Sequence, residues 1–182
     1  FAAAQVEVFL ELAALALEIA VLVDQLPLPR NAQSLWAQHK YSVMARDPAA
    51  YRRIGRTVAS RAIAMEMTVV GFDPYFTAET ALDGRVRMVR VFDEFLAQLD
   101  VITFHVPGGE QTKHLINRER LFGGKVKPNL LIVNDARGEV IDEFAVADAL
   151  KERKIAGAAI DVYQTEPPQK DHPLFGLENA VL

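Results

Sequence analysis

Cysteine is absent from the 182 residues. That excludes a disulfide frame, a thiolate nucleophile and any cysteine metal site, and it suits a reducing compartment, with the cytoplasm as the expected location. Basic charge is not in excess either. Lys and Arg number 20 against 24 Asp and Glu, a net charge of −4, so nothing advertises a nucleic-acid surface. No apolar run reaches the ~18 residues a membrane-spanning helix needs. The stretch FAAAQVEVFLELAALALEIAVLVDQ comes nearest, and Glu7, Glu11, Glu18 and Asp24 interrupt it. Internal repeats, low-complexity tracts, histidine pairs with metal-ligand spacing and a serine in a nucleophile elbow are all missing. Phe1 stands in place of a starting Met, and the final ENAVL opens a strand pattern without completing it. The chain is therefore expected to be a fragment.

What is present is a hydrophobic content of 51%, enough for one sizeable core, so one domain with an appended piece is expected. The appended piece is residues 1–33, a leading helix followed by the proline-punctuated linker LPLPRNAQ. Glu7, Glu11 and Glu18 form one stripe of that helix, while Val6, Phe9, Leu10, Leu12, Leu15, Leu17 and Leu22 spread over the rest. Such a surface wants burial on most sides, between domains or between subunits. The domain itself is residues 34–182.

From Gly55 onward the pattern is regular. Continuous apolar runs at MTVVGFD (67–73), LDVITFHVP (99–107), NLLIVNDA (129–136) and AGAAIDVY (156–163) suit fully buried strands. Helical patterns lie between them at RTVASRAIA, FDEFLAQ, NRERLFG and DEFAVADALKERK. The last opens on Asp142 and Glu143 and closes on Lys151, Arg153 and Lys154, complementing the helix dipole at both ends. Strands without alternation are covered on both faces, and the intervening helices supply the cover. The expected fold is α/β, a doubly wound parallel sheet.

Ligands of such sheets bind beyond the carboxyl ends of the strands. Asp73 closes a strand 18 positions after Gly55, near the ~20 expected of a carboxylate that takes the adenosine ribose hydroxyls of a dinucleotide. It would also repel a 2′-phosphate and favour NAD over NADP; the alternative is a plain turn at DPY. Arg137 follows a buried strand, where a guanidinium either grips a carboxylate through two parallel hydrogen bonds or is simply a solvated charge. In DVYQTEPP, Asp161 ends a strand and prolines stiffen Glu166. That loop either supports a histidine acid/base by stabilising its charged form or is ordinary surface. Among the histidines, His105 sits at a strand end as a wall or core residue, His172 is expected in loop packing, and His39 and His114 are expected to be exposed.

In order and spacing, RRIGRTVASRA, VVGFDPY, DVITFHVPGGEQTKHLIN, KPNLLIVNDARGEVIDEFAVADALKERKIAGAAIDVYQTEPP and DHPLFGLENAVL resemble the NAD-binding domain of the D-isomer-specific 2-hydroxyacid dehydrogenases, especially the D-3-phosphoglycerate dehydrogenases. The long block around NDARGEVIDE is the diagnostic part, and the leading helix is similar, more loosely, to the family's interdomain helix. The resemblance implies a Rossmann-type domain, NAD as cofactor, a small 2-hydroxy or 2-oxo acid as substrate and a homodimer or larger assembly. It matches Arg137 to the arginine that holds the substrate carboxylate and Glu166 to the acid that raises the catalytic histidine's pKa. It further matches Asp73 to the ribose binder, Arg53, Ile54 and Gly55 to the pyrophosphate turn, and Val106, Asp135, Ala136, Arg137 and Asp161 to positions lining the cofactor. The catalytic histidine would lie past Leu182, and the substrate domain is not included. An NAD-sensing corepressor-like interaction protein of the same family and a structural fragment without ligand are the competing implications.

The departure from the family is local. Aligned on Gly55, its G-x-G-x-x-G loop reads Ala50, Tyr51, Arg52, Arg53, Ile54, Gly55, so two of three glycines are replaced. Upstream, Arg46, Asp47 and Pro48 fall where the apolar first strand is expected, and proline and unpaired charge suit a central strand badly.

Overall fold

The structure, a computed structural model, describes residues 40–45 and 50–182, with side chains from Ile54 onward. The expected leading helix and linker, His39 and the segment Arg46 to Pro48 lie outside the described residues. The described elements run β1 (Lys40–Ala45), α1 (Ala50–Ala64), β2 (Thr68–Phe72), β3 (Thr80–Ala81), β4 (Val86–Met88), α2 (Phe92–Leu96), β5 (Val101–His105), α3 (Arg118–Phe122), β6 (Leu131–Asn134), a 3-10 turn (Gly138–Val140), α4 (Glu143–Lys151), β7 (Gly157–Ile160) and β8 (Ala180–Val181).

One sheet takes the order β3-β4-β2-β1-β5-β6-β7-β8. Every described pairing is parallel except β3 with β4. Six of these strands, β4-β2-β1-β5-β6-β7, reproduce the 3-2-1-4-5-6 order of a doubly wound dinucleotide-binding sheet, and the order reverses between β1 and β5. The unfinished C-terminal pattern enters the same sheet as β8, with Ala180 opposite Ala158.

The apolar runs explain the layering. All five residues of β5 and all four of β6 are buried, as strands with cover on both faces must be. Phe95, Leu96, Leu99, Ile102, Phe104, Leu130, Ile132 and Leu150 are fully buried in the main core. Each such side chain contributes roughly 1.5–3 kcal/mol relative to exposure. A smaller cluster of Ala59, Ala62, Met67, Val69 and Val86 packs α1 against the first half of the sheet. Asn117 caps α3 by accepting from the Arg120 amide at 3.0 Å, and Asp142 caps α4 by accepting from the Ala145 amide at 3.1 Å.

Three expectations need correction. The central first strand, expected to be spoiled by proline and unpaired charge, forms over Lys40–Ala45 in register with β2 and β5. Ala50 to Gly55, expected as a loop, forms the opening turns of α1. Without the two missing glycines, nothing in that segment favours an open turn over the helix that Ala, Arg and Ile readily join. The third is an omission, the strands β3 and β4. Val86 and Val89 are buried while Arg85, Arg87 and Arg90 are exposed, an alternation that marks a half-covered strand near a sheet edge.

Candidate active site

Because the sheet is parallel, its strand ends bring the predicted residues to one edge. In the first half, an open groove runs between α1, the tip of β2 and the β3–β4 hairpin. Gly55 and Ala59 line it from the helix, Phe72 and Asp73 from β2, and Leu82 and Met88 from the hairpin. Asp73 is buried, and its Oδ1 accepts from the Tyr75 amide at 2.8 Å. The turn and the groove thus use the same carboxylate. Arg90 fastens the rim, donating to the carbonyls of Phe76, Thr77 and Ala78, the last at 2.9 Å. Ile54 is half-buried and does not line the groove, and Arg53 falls in the first turn of α1. Sequence reasoning missed Leu82 and Met88, which the alternation in RVRMVR signals.

The second half is built from the loops after β5, β6 and β7, which are bonded to one another. Asn134 is fully buried at the end of β6. Its Nδ2 donates to the Arg137 carbonyl at 2.9 Å and its Oδ1 accepts from the Ala136 amide at 3.3 Å, closing the turn that presents Arg137. Arg137 itself is exposed, with Nη1 donating to the Ala136 carbonyl at 2.6 Å. Asn134→Ala should therefore cost about 2–3 kcal/mol, since two buried backbone groups lose their partners. A urea midpoint unchanged within error would show that the turn holds itself.

Beyond Arg137, Glu139 Oε1 accepts from the Gly109 amide at 2.6 Å and the Glu139 carbonyl from the His114 amide at 2.7 Å, tying the β5 loop to the 3-10 turn. Gly138 presses on the β7 loop so closely that a Cβ there would lie 2.0–2.3 Å from backbone atoms of Tyr163 and Gln164. Glu143 Oε1 accepts from the Gln164 amide at 2.7 Å, and its Oε2 meets His172 Nε2 at 3.0 Å in a pair whose side chains are 5% and 8% exposed. Glu143, expected only to complement the helix dipole, instead anchors the loop carrying Glu166. His172 joins that anchor through its edge contact with Tyr163, ring centroids 5.2 Å apart. His114, expected to be exposed, is half-buried, with Nε2 at 3.3 Å from Gln164 Oε1.

Of the remaining predicted residues, Val106 and Ala136 belong to the main core, so what they offer a ligand is chiefly backbone. His105 is 7% exposed, and burial pushes its pKa down to about 4, so it stands neutral at the switch point. Glu166 is exposed, with Oε1 accepting from the Tyr163 amide at 3.2 Å. Asp135 and Asp161 stand side by side at the ends of β6 and β7, where the Asp161 amide donates to the Asn134 carbonyl at 3.0 Å. Three strand spacings of ~4.8 Å separate β2 from β6, about 14 Å in all. Only an extended ligand with recognisable groups at both ends spans Asp73 and Arg137. Among the described residues no cluster of His, Asp and Glu is arranged to hold a metal, and no helix is long and apolar enough to cross a membrane.

Residues 50–182 match the family model described as D-isomer specific 2-hydroxyacid dehydrogenase, NAD binding domain. The chain is 46% identical over 129 residues to the D-3-phosphoglycerate dehydrogenase of Methanocaldococcus jannaschii, covering 71% of this chain and 24% of that protein. The (S)-sulfolactate dehydrogenase of Chromohalobacter salexigens is 37% identical over 128 residues, covering 70% of this chain and 41% of its own. Among solved structures, a D-lactate dehydrogenase from Treponema pallidum superposes with a TM-score of 0.68 at 31% identity, over 80% of this chain and 45% of that one. The chain spans about a quarter of the length of the phosphoglycerate dehydrogenases it matches.

Proposed function

The chain belongs to the D-isomer specific 2-hydroxyacid dehydrogenase family, and from that premise we propose that it is the cofactor-holding part of an oxidoreductase acting on a D-2-hydroxy acid, with 3-phosphoglycerate as the substrate. The observation that carries the proposal is the juxtaposition at one sheet edge: buried Asp73 beside an open groove on one side of the β1–β5 reversal, and the Asn134-closed turn presenting Arg137 on the other. Bound NAD supplies the hydride acceptor. Asp73 would take the ribose hydroxyls and exclude a 2′-phosphate, with the pyrophosphate near the amino end of α1. Arg137 would hold the substrate carboxylate through two parallel hydrogen bonds. Glu166 would stabilise the charged form of an acid/base histidine supplied by the full-length enzyme. The cytoplasm and a homodimer complete the proposal, supported by the cysteine-free composition and the apolar sequence of residues 1–33.

The test is a titration of NADH followed by nicotinamide fluorescence. Saturable binding is expected. Asp73→Ser should weaken it by roughly tenfold to a hundredfold, the loss of hydrogen bonds to a charged acceptor, while NADPH binding changes little. A flat titration of the unmodified chain would leave the ligand-free structural reading in its place.

A further inference from the structure

Helix α4 holds two separate stretches of chain. Its first residue, Glu143, is buried, and its two carboxylate oxygens serve different partners. Oε1 accepts from the amide of Gln164 in the loop after β7, and Oε2 meets Nε2 of His172 in the segment that leads to β8. His172 Nδ1 is buried and has no hydrogen-bond partner, so the ring's proton belongs on Nε2, where Glu143 accepts it. At the other end of α4, buried Asn179 donates to the Leu150 carbonyl at 3.2 Å and to the Ala156 carbonyl at 3.4 Å. Leu174, between these two attachments, is fully buried. The segment from His172 to Asn179 is therefore fastened at both ends of α4 before the chain enters β8. Gln164 stands two positions before Glu166, whose Oε1 accepts from the Tyr163 amide.

The topology gives this double attachment a consequence. β8 pairs in parallel with β7, Val181 opposite Ala159, so a chain leaving β8 emerges at the same edge as the loop carrying Glu166. On the reading proposed above, an acid/base histidine works against Glu166, and β8 is the strand that delivers it. Resting on that reading, we infer that Glu143, with His172, is the positioning residue of this acid/base pair: one buried carboxylate fixes the limb that carries Glu166 against the limb that leads to the histidine. Both residues are buried, so they act through the separation of the two groups beyond them and not by touching substrate.

The full-length enzyme tests the inference through the pH profile of kcat/KM for 2-oxo acid reduction, whose alkaline limb reports the histidine that must carry a proton. Glu143→Gln keeps the bulk and the contact to the Gln164 amide, but it sets a side-chain N–H against the N–H of His172, two donors face to face. It should move the alkaline limb down by roughly 0.5–1 pH unit, because Glu166 no longer stands where it stabilises the charged ring. The kcat should fall by roughly tenfold to a hundredfold, the effect of a misplacement of about 1 Å, with the KM for NADH within about twofold. His172→Leu should act in the same way. His172→Gln, whose side-chain amide can donate to Glu143 Oε2, should restore the parent profile. NADH affinity within about twofold of the parent, read by nicotinamide fluorescence, shows that each variant keeps its fold. If Glu143→Gln does not fold, the comparison of His172→Leu with His172→Gln carries the test. A lower kcat on an unmoved alkaline limb, or no change in either, overturns the positioning role and leaves the dehydrogenase reading intact. An unmodified enzyme that reduces no 2-oxo acid with NADH removes both.

Discussion

Gly138→Ala should lower stability by about 3 kcal/mol, at or beyond the upper end of ordinary overpacking effects. The added methyl would stand 2.0 Å from the Tyr163 carbonyl carbon, 2.1 Å from its oxygen and 2.3 Å from the Gln164 nitrogen. Those are backbone atoms, so no rotamer change clears them. The opposing segment is also held in place, because the Gln164 amide donates to Glu143 Oε1 and the Gln164 side-chain amide donates to the Ile141 carbonyl at 3.1 Å. Either the turn after β6 moves away or the β7 loop gives up its anchor on the buried Glu143–His172 pair. Gly124→Ala provides the contrast. A Cβ at Gly124 would meet nothing within 4 Å, but the backbone there has a φ of +74°, so the substitution should cost only about 1 kcal/mol of backbone strain. Urea midpoints of the two variants measure the difference. Equal midpoints would mean that the two loops are not in rigid contact.

Acidification should remove about 3 kcal/mol of stability through His105 alone. Burial holds its folded pKa at about 4, against an ordinary value of 6.5. Above pH 6.5 the imidazole is neutral in both states and its environment is at no disadvantage. As the pH falls below 6.5 the unfolded chain takes up a proton that the folded chain refuses, so the unfolded state gains. The loss levels off below about pH 4, where both forms are charged. A shift of about 2.5 pH units at 1.36 kcal/mol per unit gives the magnitude. The Thr103 hydroxyl lies 3.5 Å from Nε2, a long contact that offers a charged ring little compensation. His105→Gln should flatten this part of the stability profile. An unfolding free energy as steep between pH 6.5 and 4 in the variant as in the parent would assign the acid sensitivity to other groups.

The parallel sheet is legible in the sequence because its central strands are apolar at nearly every position; covered on both faces, β5 and β6 leave no alternation to misread. Their ends are legible for the same reason, since a charged residue after such a run, Asp73 or Arg137, must emerge at the edge. The hairpin β3–β4 is not, because three arginines around RVRMVR resemble a polar loop until the buried Val86 and Val89 are seen. Asn134 draws no notice in sequence, since an amide inside an apolar run carries no charge; its importance lies in two backbone partners that only the folded turn supplies. Glu143 has an evident place at the start of a helix, whereas its chemistry is set by residues 21 and 29 positions further on. Long-range pairing of that kind leaves no periodic trace. The segment from Ala50 to Gly55 resembles a family loop by its place in the chain, although its own residues favour helix.

The mutual tethering of the loops after β5, β6 and β7 bears on how tightly the far end of a cofactor can be held. A site made of independent loops loses their freedom at the moment of docking, and the observed affinity is reduced by that loss. Here Glu139, Gly138 and Glu143 restrain those loops within the folded chain itself. Their ordering entropy is lost during folding, so an incoming nicotinamide nucleotide surrenders little beyond its own freedom.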